Sequence, residues 1–106
     1  MARVLIQVPA TARRGEVIEL RATLAHPMET GYRPGVDGRP VPRDIVQDFT
    51  CRYNGEVVFS AQLHPAVAAN PYIAFHTLAT DSGTLEFEWR GDHGFAHLER
   101  RELKVT

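Results

Sequence analysis

A chain of 106 residues, 43% hydrophobic and 24% charged, is one domain's worth of an ordinary globular protein and long enough to bury a real core. Its formal net charge of -1 gives nucleic acid or an anionic membrane surface no electrostatic hold, and no run approaches the ~20 apolar residues that span a bilayer. The single cysteine, Cys51, excludes an internal disulfide and a thiolate zinc cluster.

The first element is a strand pattern over 2–8. It is too short and too soon polar for a signal peptide, so read alone it points to the cytoplasm. In 16–25, Ile18, Leu20, Ala22 and Leu24 share one parity, and Glu19, Arg21 and Thr23 share the other. That is the period of a half-buried strand. Residues 26–43 then break the rhythm with Pro27, Pro34, Pro40, Pro42, Gly31, Gly35 and Gly38. A connection of this length without a strand pattern is uncommon in a small domain and often functional.

Phe49, Cys51 and Tyr53 next alternate with Thr50 and Arg52. Asn54-Gly55 follows, the pair that best tolerates a tight hairpin turn. Beyond it the alternation places Val57, Phe59, Ala61 and Leu63 inward, and Val58, Ser60 and Gln62 outward. Residues 64–72, with Ala66-Val67-Ala68-Ala69 between Pro65 and Pro71, suggest a short helical turn crossing between sheets. A strand over 72–80 leads to the turn Asp81-Ser82-Gly83. Leu85, Phe87 and Trp89 then point inward, with Thr84, Glu86, Glu88 and Arg90 outward. Asp92-His93-Gly94 turns the chain into a last strand within 95–105. About seven short antiparallel strands in a single domain over 1–106 predict an all-β, immunoglobulin-like β-sandwich, with a small barrel as the alternative.

Little of this pattern carries chemistry. A blue-copper site needs Cys and His converging from one short loop, whereas Cys51 sits mid-strand with His64 the next histidine. The five histidines, His26, His64, His76, His93 and His97, are too spread for a zinc site. Ser60 and Ser82 lack a nucleophile-elbow context, and there is no glycine-rich phosphate loop. The expectation is a non-enzyme with no catalytic, cofactor or metal residues. Parity points Cys51 inward with Phe49 and Tyr53, as an inert core thiol. A small redox protein using Cys51 is the competing reading.

The phrases His26-Pro27-Met28-Glu29-Thr30-Gly31, Asp37-Gly38, Val41-Pro42-Arg43, Cys51-x-Tyr53-Asn54-Gly55, Ala69-Asn70-Pro71-Tyr72 and Phe87-x-Trp89 run in order along nearly the whole chain. Together they closely resemble the SoxZ family of the bacterial sulfur-oxidising (Sox) system. The resemblance implies an immunoglobulin-like sandwich without catalytic residues. It also implies pairing with SoxY, as a heterodimer or larger assembly. SoxY's mobile C-terminal arm bears the cysteine that carries the sulfur intermediates of thiosulfate oxidation. The present chain ends Glu102-Leu103-Lys104-Val105-Thr106 without such an arm, as expected of the Z partner. Family members are exported folded with SoxY, which bears the signal, so the resemblance moves the expected location to the periplasm.

Other Sox enzymes are expected to meet the chain through that complex, and the isolated chain is expected to self-associate through the same surface that would bind SoxY. The expected partner-binding surface joins the 26–43 loop to 70–72: Met28, Glu29, Tyr32, Arg33, Arg43, Asn70 and Tyr72. Methionine adapts at interfaces, Glu29 can accept an arginine, and Tyr and Arg are typical anchors. Without a partner, Gly31 is simply the positive-φ residue of a turn. Val58 and Ile73, apolar on faces expected to be exposed, are candidates for an adjoining patch. A periplasmic immunoglobulin-like adaptor or chaperone, capturing peptides along an edge strand, is the remaining alternative.

Overall fold

The alternating segments pair as strands in a computed structural model that describes residues 3–106. In chain order they are β1 (Val4–Gln7), β2 (Thr11–Ala12), β3 (Val17–Leu24), β4 (Val46–Tyr53), β5 (Glu56–Gln62), β6 (Tyr72–Leu78), β7 (Gly83–Gly91) and β8 (Ala96–Val105), with one 3-10 turn at Asp92–Gly94. The strand expected over 2–8 thus begins at Val4, and its first residue, Ala2, lies outside the described residues. Strands β1-β3-β6 form one sheet and β2-β8-β7-β4-β5 the other. Every pairing is antiparallel except that of β2, which runs parallel to β8 through Thr11–Lys104 and Ala12–Val105. The fold is the expected immunoglobulin-like sandwich. β2 had no signal in the sequence because two residues are too few to show a period. The connection before β6 is not a helical turn: it closes locally through the Val67 N–H donating to the His64 carbonyl at 2.9 Å.

Burial follows the alternation. On β3, Ile18, Leu20, Ala22 and Leu24 are buried, and on β7, Leu85, Phe87 and Trp89 are. Phe49 of β4 sits at the centre. Its ring lies 5.2 Å from Trp89, 5.9 Å from Phe75, 6.2 Å from Phe59 and 6.4 Å from Phe87, centre to centre. Phe75 belongs to the three-stranded sheet and the others to the five-stranded one, so this cluster joins the layers. Such aromatic pairs add about 0.5–1.5 kcal/mol each beyond the area they bury.

One register change corrects the sequence expectation. Cys51 pairs with Phe59 but Arg52 pairs with Val57, so Val58 is an extra residue on β5. Such a bulge twists the strand and turns side chains to the other face. Val57, expected inward, is therefore 58% exposed, while Val58, expected outward, packs partly buried against the core. Ile73 also packs against the core, opposite Ala22, and so is not part of an exposed patch. The outward set on β6 is Tyr72, Ala74, His76 and Leu78.

Cys51 is fully buried, and burial pushes its thiol up to about 12 despite the opposing charge of Arg52. A thiol so placed is no nucleophile. In the folded chain it should react with Ellman's reagent only as fast as the protein unfolds. Release of a full equivalent on mixing, at mildly alkaline pH, would put Cys51 at a reactive site. Phe49→Ala should cost about 3–5 kcal/mol of stability, the range for a fully buried phenylalanine, measured as a lowered midpoint in urea.

Candidate functional site

Three connections meet at one end of the sandwich: 25–45, 63–71 and the Asp92–Gly94 turn. A long connection must find partners for its backbone polar groups, since unpaired ones are costly where water is excluded. At its root, the buried His26 does much of this. Its backbone N–H donates to Asn70 Oδ1 at 2.9 Å, and its carbonyl accepts from the Asn70 N–H at 2.8 Å. The Met28 N–H donates to His26 Nδ1 at 3.0 Å, which leaves the ring proton on Nε2, facing Asp44 Oδ1 at 3.7 Å. The ring edge packs on Phe95, centres 5.2 Å apart. These contacts hold Met28 and Asn70 at φ 51 and φ 54, the left-handed region that non-glycine residues seldom adopt.

Beyond this root the chain forms a finger. Glu29 and Asp44 exchange backbone hydrogen bonds of 2.8 Å, Val41 N–H donates to the Arg33 carbonyl at 2.7 Å, and Gly35 N–H donates to the Arg39 carbonyl at 2.7 Å. Asp37 Oδ1 accepts from the Arg39 N–H at 3.0 Å and shapes the tip. The finger returns past Gly31, at φ 91, where a side chain would crowd Arg43 Cβ. Its residues from Tyr32 to Pro40, other than Gly35, are exposed. The protein measures 58 × 20 × 19 Å with a radius of gyration of 16.1 Å, against about 13 Å for a compact domain of this length.

The base of the finger is clamped by a carboxylate 49 positions away in sequence. Asp92 accepts from Arg43 Nε at 2.9 Å and Nη2 at 2.8 Å, from the Ile45 N–H at 3.1 Å, and from Gln47 Nε2. The Arg43 hydrogen bonds, helped by the Ile45 amide, hold its carboxyl below the ordinary aspartate range. His93, at φ 58, adds a 2.8 Å contact from Nε2 to the Arg43 carbonyl. Gly91 lets the strands approach: a Cβ there would strike the Ile45 carbonyl. Asp92-His93-Gly94 reads as a simple turn in the sequence, and Gly91 carries no signal of its own. No local pattern signals a partner so far along the chain.

Of the expected binding residues, the structure gathers Glu29, Tyr32 and Arg33 on the finger. Arg33 donates to the Glu29 carboxylate through Nε and Nη2, at 3.1 and 2.7 Å, and this holds Glu29 below its ordinary value. Arg43 is exposed but engaged with Asp92, and Asn70 is a structural partner of His26. Met28 is a correction. It is only 4% exposed, with Sδ accepting from the Val46 N–H, because the strained backbone at φ 51 turns the side chain into the core. Tyr72 lies at the same end but on the outer face of the three-stranded sheet, opposite Thr23. Tyr32, 83% exposed, and Val36, fully exposed, are the apolar groups that the finger offers to solvent. Val36 drew no attention in the sequence because it stands alone between Gly35 and Asp37. Among the described residues, no three His, Cys, Asp or Glu side chains are grouped to hold a metal ion.

The finger is therefore a hydrogen-bonded support for a few exposed side chains. Comparison with known proteins agrees with the sequence resemblance. The family model described as sulphur oxidation protein SoxZ matches residues 6–101. No curated protein sequence matches the chain. Among solved structures, a superoxide reductase (neelaredoxin) from Ignicoccus hospitalis is 16% identical with a TM-score of 0.76, covering 97% of this chain and 80% of that one. The sulfur carrier protein SoxY from Chlorobium limicola f thiosulfatophilum is 15% identical with a TM-score of 0.68, covering 97% and 78%. A putative superoxide reductase from Thermotoga maritima is 14% identical with a TM-score of 0.72, covering 97% and 85%. At these identities the likeness is one of fold.

The Asp92 clamp makes a pH prediction. Its carboxyl is lower in the folded state than its ordinary 3.8, so its stabilisation is full above that value and is lost as pH falls through the lowered one. Asp92→Asn should lower the melting temperature at neutral pH and flatten its fall in acid. Melting curves across that range check this, and an unchanged acid limb would show that Asp92 does not hold the finger's base.

Proposed function

Since this chain belongs to the SoxZ family of sulphur oxidation proteins, we propose that it is a non-catalytic subunit that pairs with SoxY to form the carrier of covalently bound sulfur intermediates in thiosulfate oxidation. The observation that carries this reading is the family match across 6–101, nearly the whole chain. The chemistry of the described residues is in keeping with it. The one thiol is deep in the core, so this subunit's part is to dock and position a partner that brings its own reactive cysteine.

The finger is the docking element in this reading. Its backbone is fixed before any partner arrives, which lowers the ordering cost of binding. Tyr32 and Val36 offer apolar surface, and Arg33, next to Tyr32 in sequence, has its guanidinium held by Glu29. Tyrosine and arginine are the side chains that most often dominate binding energy. A cleft alongside, lined by Arg43, Gln47, Leu63, His64 and Pro65, gives the partner a second wall. The location that goes with this role is the periplasm, reached folded together with SoxY.

Native mass spectrometry of the chain mixed with SoxY should show a stoichiometric complex that survives reductant, since Cys51 is too deep to bridge. Tyr32→Ala and Arg33→Glu should each weaken binding by roughly tenfold or more while leaving the melting temperature unchanged. In cells, the chain should reach the periplasm only when SoxY is co-produced. Absence of any complex would remove the carrier-subunit reading. A complex indifferent to both variants would move the contact off the finger.

A further inference from the structure

The outer faces of the two sheets differ in kind. On the five-stranded sheet the charges are matched within the chain: Glu88 is held between Arg52 and Arg90, and Glu86 meets Arg100. The three-stranded sheet instead presents large apolar side chains at both ends of its outer face. Val17 and Leu78 are paired neighbours at one end, and Thr23 and Tyr72, with Leu5 beside them, are paired at the other. Between the ends lie a row with Glu19 opposite His76 and a row with Arg21 opposite Ala74. All four apolar groups, Leu5, Val17, Tyr72 and Leu78, are exposed.

This order is its own complement. Consider a twofold axis in the plane of contact, perpendicular to the strands and crossing β3 between Glu19 and Arg21. It lays each strand on its own copy running the other way. The Val17 row then meets the Thr23 row, and the Glu19 row meets the Arg21 row. Tyr72 falls on Leu78 of the other copy, Thr23 on Val17, and Arg21 on Glu19. Tyr72 and Leu78 of the two copies pack as apolar partners, Val17 packs on the methyl-bearing Thr23, and the central charges alternate in sign. An isologous contact requires this kind of matching of a surface with itself. Arg21 Nε already donates to Glu19 of its own chain, so two ion pairs would stack into one network.

We propose that the outer face of β1-β3-β6 is a contact surface for a second copy of this chain. Three strands about 4.8 Å apart and eight residues of about 3.3 Å give a face about 14 Å by 26 Å in plan. Even doubled for side-chain relief, that stays at or below the roughly 800 Å² per partner of a stable complex. The dimer is therefore weak and reversible. It does not rest on the SoxY reading, because the finger lies outside the face.

Sedimentation equilibrium of the isolated chain up to about 1 mM tests it, a range that reaches weak association. The wild type should show a concentration-dependent monomer–dimer equilibrium. Leu78→Glu, an exposed position, should abolish it with the melting temperature retained. Glu19→Arg should weaken it at least roughly fivefold, since like charges then face each other across the axis. The double swap Glu19→Arg with Arg21→Glu should restore it. Arg33→Glu on the finger should leave it unchanged. A wild type that stays monomeric overturns the proposal. So does a dimer that persists in Leu78→Glu, a double swap no better than the single one, or a dimer lost in Arg33→Glu.

Discussion

The contact of Phe49 with Phe75 is the constraint on which the rest depends. With Phe59 on Phe75, it forms the aromatic junction between the five-stranded and three-stranded sheets, 5.9 Å between ring centres and near edge-on. Trp89, Phe87 and Phe59 surround Phe49 from its own sheet, and Phe59 stacks on Phe75 at 4.4 Å. With the layers held at that point, the parity of each strand is settled. A slip of one residue would bring Glu86, Glu88 and Arg90 into the place of Leu85, Phe87 and Trp89, at the cost of unpaired buried charge.

Fixed layers also fix the two ends. At one, Tyr53 donates its hydroxyl proton to the Asp81 carbonyl and accepts from the Thr80 N–H, and Asn54 caps Thr84. That end consists of short turns with no freedom left. At the other, a single long connection takes up the chain between β3 and β4. At its root, backbone N–H groups donate to its own His26 ring and to two side chains distant in sequence, Asn70 and Asp92. The result is an ordered projection, so Tyr32 and Val36 stand in water on a scaffold that does not have to fold on contact.

This arrangement separates stability from recognition. Cys51, Met28 and His26, the side chains with the most versatile chemistry, are enclosed and serve packing or hydrogen bonding. The side chains left in solvent include an aromatic and an arginine on the finger, and apolar residues at both ends of the three-stranded sheet. In this SoxZ-family protein the single thiol is thereby held away from solvent.

Much was legible in the sequence because parity is a local property. Ile18 to Leu24, Phe49 to Tyr53 and Leu85 to Trp89 each declare a buried face within a few residues, and Asn54-Gly55 declares the turn between two of them. Those runs by themselves determined the all-β sandwich, the inward Cys51 and the 26–43 connection as the irregular element. The family phrases added the SoxZ identity. What only the tertiary structure decided rests on contacts between positions far apart. The extra residue Val58 exchanges the roles of Val57 and Val58, and it follows from how β5 pairs with β4. Met28 is buried because His26 receives its amide and Val46 donates to its sulfur. Asp92 becomes the clamp of the finger only once β7 lies beside β4. Periodicity reports which way a side chain faces within its own strand, and such long-range partners are set by the register between strands, which no local pattern encodes.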